Sequence, residues 1–364
     1  MEQDTVILEE TKEDSLEKTK KKIPVSDKKT DTTGVPNTKK AKLEALDKII
    51  KECDKKFGEH SVIKMGDTSI SKIECISTGI LGIDEILGGG FPRGRIIEIA
   101  GAESSGKTSL CIQTMVECQK QDGVVGFIDA EHALDLEYAK NLGLNIEELY
   151  LSQPAYGEQA IDIAESMIDA GIDLLIIDSV AALTPLSEIE GEMGDAQMGK
   201  QARLIGQAMR KLTAKIGKNK TCVIFTNQYR SGIGPYASSK VTTGGNALKF
   251  FASQRLDLSK GKVDDTGNED AIKSVVRIKV IKNKIAPPFK KGEFEIIFGK
   301  GFSKESDLLS LAVKYDIIQK AGSWYSYNNE KIGQGSERAL EWLSENSERF
   351  EEIKQKVKEK LTTN

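Results

Sequence analysis

A lysine and a threonine that close a glycine-bounded octapeptide have the chemistry to hold the charged end of a nucleoside triphosphate. Gly101-Ala102-Glu103-Ser104-Ser105-Gly106-Lys107-Thr108 fits the spacing G-x-x-x-x-G-K-[ST], with Ser109 immediately after it. Glycines let backbone N–H groups close around phosphate oxygens, the lysine supplies a point charge to the β- and γ-phosphates, and the threonine hydroxyl ligates Mg²⁺. Three further positions have suitable chemistry. Asp178 ends the apolar run Leu174-Leu175-Ile176-Ile177, as the acid that holds Mg²⁺ through its waters does in such sites. Glu131 and Gln228 also follow apolar runs, as a general base and a γ-phosphate sensor would. An acid after a strand serves equally well as a helix N-cap, so the residues alone leave Glu131 open between these roles.

The elements that must position these groups are legible around them. Ile96-Ile97-Glu98-Ile99-Ala100 reads as a buried strand entering the octapeptide, and 108–121 as a helix leaving it with Leu110, Cys111, Met115 and Val116 inward. Short apolar runs at 96–100, 124–128, 174–177 and 223–225 alternate with helical stretches at 157–170 and 197–216. This predicts an α/β fold, a mostly parallel twisted sheet covered by helices on both faces. In such sheets ligands sit beyond the carboxyl ends of the strands, which is where Lys107, Glu131, Asp178 and Gln228 fall.

Around this core the composition shifts. Residues 1–40 are rich in Lys, Glu, Asp and Thr, with too little apolar surface to bury, and predict a disordered extension. A weak interaction arm through Lys18–Lys22 is the alternative. Within 41–57, Leu43, Leu46, Ile50, Cys53 and Phe57 form one helical apolar stripe, which either folds back on the core or docks on another copy. We divide the chain into this extension, a helix-and-strand segment at 41–67, a nucleotide-binding core at 68–303 and a small α+β domain at 304–364. In the last, Leu308, Leu309 and Leu311, then Leu340, Trp342 and Leu343, then Ile353, Val357 and Leu361 predict three short amphipathic helices, with Trp324, Tyr325 and Tyr327 in its core.

The net charge of −4 assigns any nucleic-acid contact to local basic patches rather than a global field. No apolar run approaches the ~18 residues of a membrane span. The start of the chain lacks a secretory apolar region, so a cytoplasmic protein without a membrane partner is expected. Five cysteines without a C-x-x-C pair, and only His60 and His132 besides, argue against structural zinc.

Several strings are longer than nucleotide binding needs. Besides 101–108 they are Phe127-Ile128-Asp129-Ala130-Glu131-His132-Ala133-Leu134-Asp135, Asp178-Ser179-Val180-Ala181-Ala182-Leu183-Thr184-Pro185, Glu188-Ile189-Glu190-Gly191-Glu192-Met193-Gly194-Asp195, Thr242-Thr243-Gly244-Gly245-Asn246-Ala247-Leu248-Lys249-Phe250 and Lys282-Asn283-Lys284. Together they resemble the bacterial RecA recombinase family, from about residue 41 to the C-terminus.

The resemblance implies ATP and Mg²⁺ as cofactors and single- and double-stranded DNA as partners. It also implies a helical filament of the chain with itself, and a LexA-type repressor whose self-cleavage the filament assists. It assigns water activation to Glu131, γ-phosphate sensing to Gln228, adenine contact to Asp135 and Tyr138, and reach to the neighbouring subunit's ATP to Lys282 and Lys284. It sends the 41–57 stripe to the adjacent protomer. Two loops, 188–199 and 229–245, would hold DNA through Met198, Gly199, Arg230, Ile233, Gly244 and Gly245, with Arg203 and Arg210 as further phosphate partners. Ala102 stands where the family usually carries proline, Phe298 where it carries tyrosine, and the second loop is one residue shorter than usual. A ring-shaped helicase on the same core, and a nucleotide-switched binder without turnover, are the alternative readings; Glu131 argues against the latter.

Overall fold

The computed structural model describes residues 38–58, 61–62, 64, 73–192, 199–231, 240–263 and 273–363. The chain divides into two compact units between Lys72 and Ile73. The described part of the first is chiefly the helix Lys39–Phe57, capped by the Thr38 hydroxyl, which accepts the Ala41 N–H. None of its residues is buried, and Leu43, Leu46, Ile49 and Phe57 are exposed. The strand expected before residue 67 and the 1–37 part of the extension lie outside the described residues.

In the second unit, nine strands form one sheet. From one edge they are Gly301–Phe302, Lys291–Ile297, Lys273–Asn283, Gln254–Val263, Ile96–Gly101, Cys222–Asn227, Leu174–Asp178, Val125–Asp129 and Leu149–Ser152. The last six are parallel and the first three add on antiparallel. Parallel neighbours need crossovers, and the helices Lys107–Gln119, Leu136–Asn141, Gly157–Asp169 and Lys200–Asn219 supply them.

The four inner strands Ile96–Gly101, Cys222–Asn227, Leu174–Asp178 and Val125–Asp129 are buried on both faces. Ile97 and Ile99 enter one apolar cluster with Leu110, Met115, Phe127 and Ile224; Ile96, one residue out of phase, joins Ile128, Ile177, Phe225 and Met209 in the other. That is the period-two alternation of a strand between two layers of helix. Each such side chain, fully buried, stabilises the fold by roughly 1.5–3 kcal/mol. No single contact therefore sets the architecture; the two layers together do.

Residues 304–363 complete the unit with the helices Lys304–Lys314, Ser336–Glu345 and Ser347–Thr363. Between the first two lies an antiparallel sheet of Gln319–Ala321, Trp324–Tyr327 and Glu330–Gln334. Leu308, Leu311, Tyr325, Tyr327, Leu343, Ile353 and Val357 share its core. Trp324 departs from expectation. It is 37% exposed, with the Lys331 ammonium 4.6 Å from its ring centroid. Strand alternation explains it, because Tyr325 and Tyr327 point inward and their odd-numbered register puts Trp324 on the other face.

A half-buried acid joins this part to the core. The Gly82 N–H, near the start of the helix Leu81–Leu87, donates to both carboxylate oxygens of Asp307, at 3.2 and 3.0 Å. Burial pushes the Asp307 carboxyl up to about 7, with the charges of Asp84 and Glu85 adding to it. Asp84, buried under Ser77 and Thr78, is likewise raised by burial, to about 6. Both acids hold a proton more tightly in the folded than in the unfolded chain. Between about pH 4 and 7 the folded state thus carries the extra proton, and stability falls as pH rises through that window. Above it, ionised Asp307 is a standing cost. Asp307→Asn should therefore raise the melting temperature at pH 8 by several degrees over wild type and leave it nearly unchanged at pH 5. Parallel melts of the two proteins at both pH values check this; an equal shift at both would remove Asp307 from the linkage.

Candidate nucleotide and DNA site

Because the central strands are parallel, their carboxyl ends lie at one side of the sheet. Asp129 is level with Asp178 and Ala100 with Asn227 in the ladders. The loop 101–106 leaves this side and turns into the helix Lys107–Gln119 through two left-handed residues, Ser104 (φ 53°) and Gly106 (φ 86°). A side chain at Gly106 would be strained by that φ, and its Cβ would press the Phe302 ring at 3.3 Å. The turn exposes backbone N–H groups at the start of a 13-residue helix, where positive partial charge accumulates.

Lys107 is buried, and its Nζ donates to the carbonyls of Ala102 (2.8 Å) and Gly101 (3.3 Å). Burial lowers its pKa, against the pull of the Asp178 and Glu131 carboxylates. The Thr108 hydroxyl donates to Asp178 Oδ2 at 2.8 Å, while Thr226 donates to Oδ1. Burial raises the Asp178 carboxyl, and these two hydroxyls oppose the shift. The Asp178–Ser179 peptide is cis.

Glu131 and Gln228 meet across the strand ends. Gln228 Nε2 donates to Glu131 Oε1 at 2.8 Å, and the Ser179 hydroxyl donates to the same oxygen. Glu131 Oε2 takes no bond within the chain among the described residues. Five expected groups, Lys107, Thr108, Asp178, Glu131 and Gln228, are thus brought to one place.

Beside the loop opens a cavity of about 450 Å³ lined by Ser104, Gly106, Ser109, Tyr138, Val276, Ile296 and Phe298, among others. Its apolar walls suit the flat faces of a base. Tyr138 bonds Ser109 through their hydroxyls at 2.8 Å. Asp135 turns instead to its own helix, where it accepts the Tyr138 N–H as N-cap of Leu136–Asn141.

The site fits a Mg²⁺–triphosphate. Ser105 Oγ is buried in the loop with no hydrogen-bond partner, the condition of a group that waits for an acceptor. Among the described residues no cluster of three or more His, Cys, Asp and Glu stands close enough to hold a metal alone. One hydroxyl and one carboxylate suit Mg²⁺, which keeps waters and relies on phosphate oxygens.

Other expected residues lie elsewhere. Lys282 Nζ donates to the carbonyls of Lys249 and Phe250, both at 2.9 Å, and so closes the C-terminal end of the helix Ala247–Phe251. Burial lowers its pKa, with the charges of Lys284 and Arg255 contributing. Lys284 lines a separate hollow with Phe250 and Arg95. Neither lysine lines the cavity beside the loop.

Of the DNA residues, Arg203 and Arg210 are exposed on the helix Lys200–Asn219, which Gly199 caps, and Arg230 is exposed in Tyr229–Ser231. That strand pairs antiparallel with Lys240–Thr242, so the ends of the second loop form a short ladder. Gly244 and Gly245 follow it with φ of 78° and 75°. Met198 and Ile233 lie outside the described residues.

Three residues had gone unassigned at the sequence level: Ser179, Thr226 and Glu98. Only Glu98 carries a signal, a carboxylate inside an otherwise apolar strand.

A nine-stranded, mostly parallel sheet with a glycine-bounded loop at its central strand and an acid at the end of the strand one beyond its neighbour defines a P-loop nucleotide-binding protein. Comparison narrows this class. Residues 44–303 match the model of the RecA N-terminal domain and 306–362 that of the RecA C-terminal domain. The Protein RecA of Nitratiruptor sp. is 54% identical over 321 residues, covering 87% of this chain and 93% of the relative. That of Treponema denticola is 54% identical over 324 residues (88% and 78%), and that of Campylobacter jejuni subsp. jejuni 51% over 324 (88% and 94%). The chain belongs to the RecA family.

Proposed function

We propose that this protein is an ATP-dependent DNA recombinase. It forms helical filaments on single-stranded DNA, and it catalyses homologous pairing and strand exchange with DNA-dependent hydrolysis of ATP. One observation carries the reading: the Glu131–Gln228 pair sits at the P-loop side of the sheet, and the second loop leaves the same strand end directly after Gln228.

In this reading Lys107 and the N–H groups of 101–106 hold the phosphates. Thr108 and Asp178 hold Mg²⁺, which when bound neutralises charge on the phosphate oxygens. Glu131 Oε2 takes the proton of an attacking water while Ser179 and Gln228 fix the carboxylate. The base lies against Tyr138 and Phe298. Gln228 exchanges its bond to Glu131 for one to the γ-phosphate and thereby shifts the start of the second loop.

Lys282 bonds the helix Ala247–Phe251 and Lys284 lines a different hollow from the one beside the P-loop, in keeping with service to a neighbouring copy's nucleotide. Cations so placed act like an arginine finger, worth about 10³–10⁵ in rate. The exposed stripe on Lys39–Phe57 then finds its cover on the adjacent protomer. Arg203, Arg210 and Arg230, with the backbone of Gly199, Gly244 and Gly245, take the DNA backbone. Such contacts carry little sequence information, so base pairing is left to do the reading. Assistance to LexA-type self-cleavage and a cytoplasmic setting complete the reading. No helix among the described residues is long and apolar enough to cross a membrane.

The test is turnover of ATP with and without an oligothymidine, together with electron microscopy of the mixture. The expected result is stimulation of at least about tenfold and regular filaments. A flat rate with a monomeric protein would end the proposal.

A further inference from the structure

Glu98 is fully buried in the central strand Ile96–Gly101, on the face away from Ile97 and Ile99. Its two oxygens reach two other strands. Oε1 accepts from Asn227 Nδ2 at 2.9 Å, and Oε2 accepts from Arg255 Nε at 2.5 Å. Asn227 is itself fully committed. Its second amide hydrogen goes to the Thr243 carbonyl at 3.1 Å. Its Oδ1 accepts the Gln228 N–H at 2.9 Å and the Thr243 hydroxyl. An amide with both hydrogens and both lone pairs used has one orientation, because a flip would set acceptor against acceptor at Glu98 and the Thr243 carbonyl, and donor against donor at the Gln228 N–H and the Thr243 hydroxyl.

The neighbours of this cluster give it meaning. Gln228 binds Glu131 in the nucleotide site. Thr243 immediately precedes Gly244 and Gly245 at the foot of the second loop. Arg255 stands opposite Lys282 in the antiparallel ladder. Packing alone does not call for a carboxylate between two apolar layers, since a buried ion pair is often matched in stability by apolar side chains of similar volume.

We propose that Glu98 is a positioning residue. By holding the Asn227 amide in one orientation, it makes movement of Gln228 and movement of the 243–245 turn a single event. The inference rests on the reading of Gln228 as nucleotide sensor and of 229–245 as a DNA loop. Glu98 touches neither nucleotide nor DNA; it acts through Asn227. A buried polar cluster fully satisfied in one arrangement resists intermediate ones, so a disturbance at Gln228 passes to Thr243 instead of dissipating.

Glu98→Gln tests it. The substituted amide keeps an acceptor for one neighbour only and turns a donor toward either Arg255 or Asn227. The full chain is assayed for ATP turnover with and without an oligothymidine, and for oligothymidine affinity by anisotropy with a non-hydrolysable ATP analogue against ADP. Turnover without DNA should stay within about threefold of wild type, while stimulation by DNA falls by about tenfold and the affinity difference between the two nucleotides shrinks alike. Thr243→Val, an exchange of like shape at a half-buried site, removes one bond to Asn227 and should give the same loss in weaker form. It decides the matter if Glu98→Gln does not fold. Equal loss of basal and stimulated turnover, or an unchanged ratio in a folded variant, overturns the inference and leaves the proposed function standing. A wild type that DNA does not stimulate overturns both.

Discussion

Glu131→Gln should all but abolish ATP turnover while ATP-dependent binding of single-stranded DNA survives. Loss of a general base costs about 10²–10⁴ in rate, or roughly 3–5 kcal/mol of barrier. The geometry says why so conservative a change suffices. The carboxylate is held at one oxygen by Ser179 and Gln228, and its other oxygen takes no bond among the described residues. An amide in its place keeps the shape and one acceptor, so binding and the Gln228 contact persist, but it takes up no proton at neutral pH. Phosphate release and DNA anisotropy, run on one preparation with ATP, separate the two properties. Unchanged turnover would remove Glu131 from the chemistry; joint loss of turnover and DNA binding would make it a structural group.

Lys107→Ala is expected to act earlier, on nucleotide binding itself. A cation on the phosphates in a water-poor loop contributes about 2–4 kcal/mol, so affinity for ATP should fall by roughly 30- to 1000-fold. ATP-dependent filaments should be lost with it. The fold should remain, because Lys107 opens its helix and alanine is the best helix former. Among the described residues its hydrogen bonds go only to the Gly101 and Ala102 carbonyls of its own loop. Calorimetric titration with ATP and images of the protein on single-stranded DNA measure the two effects. Normal filaments at ordinary ATP concentrations would contradict the phosphate-loop reading.

The two variants differ in what made them foreseeable. Lys107 and Thr108 belong to a motif whose parts are adjacent in the chain, so spacing alone specifies the turn and the helix that follows. Glu131, Asp178 and Gln228 required one more step, the rule that parallel strands gather their carboxyl ends at one side. The chain obeys that rule, and the Glu131–Gln228 bond spans 97 residues because of it.

The sequence by itself determined the phosphate loop, four parallel strands of the inner sheet, the family and the apolar stripe on Lys39–Phe57, since each rests on local periodicity or contiguous strings; the five other strands of the sheet lack so clear an apolar run. Only the tertiary structure decided that Trp324 faces outward, that Lys282 closes the helix Ala247–Phe251, and that Asp307 accepts the Gly82 N–H. It alone brought Glu98, Asn227, Thr243 and Arg255 into one cluster. Side-chain contacts between strands follow from register and neighbour order in the sheet, and a single chain's residue pattern states which face a residue takes but not which residue it will meet there.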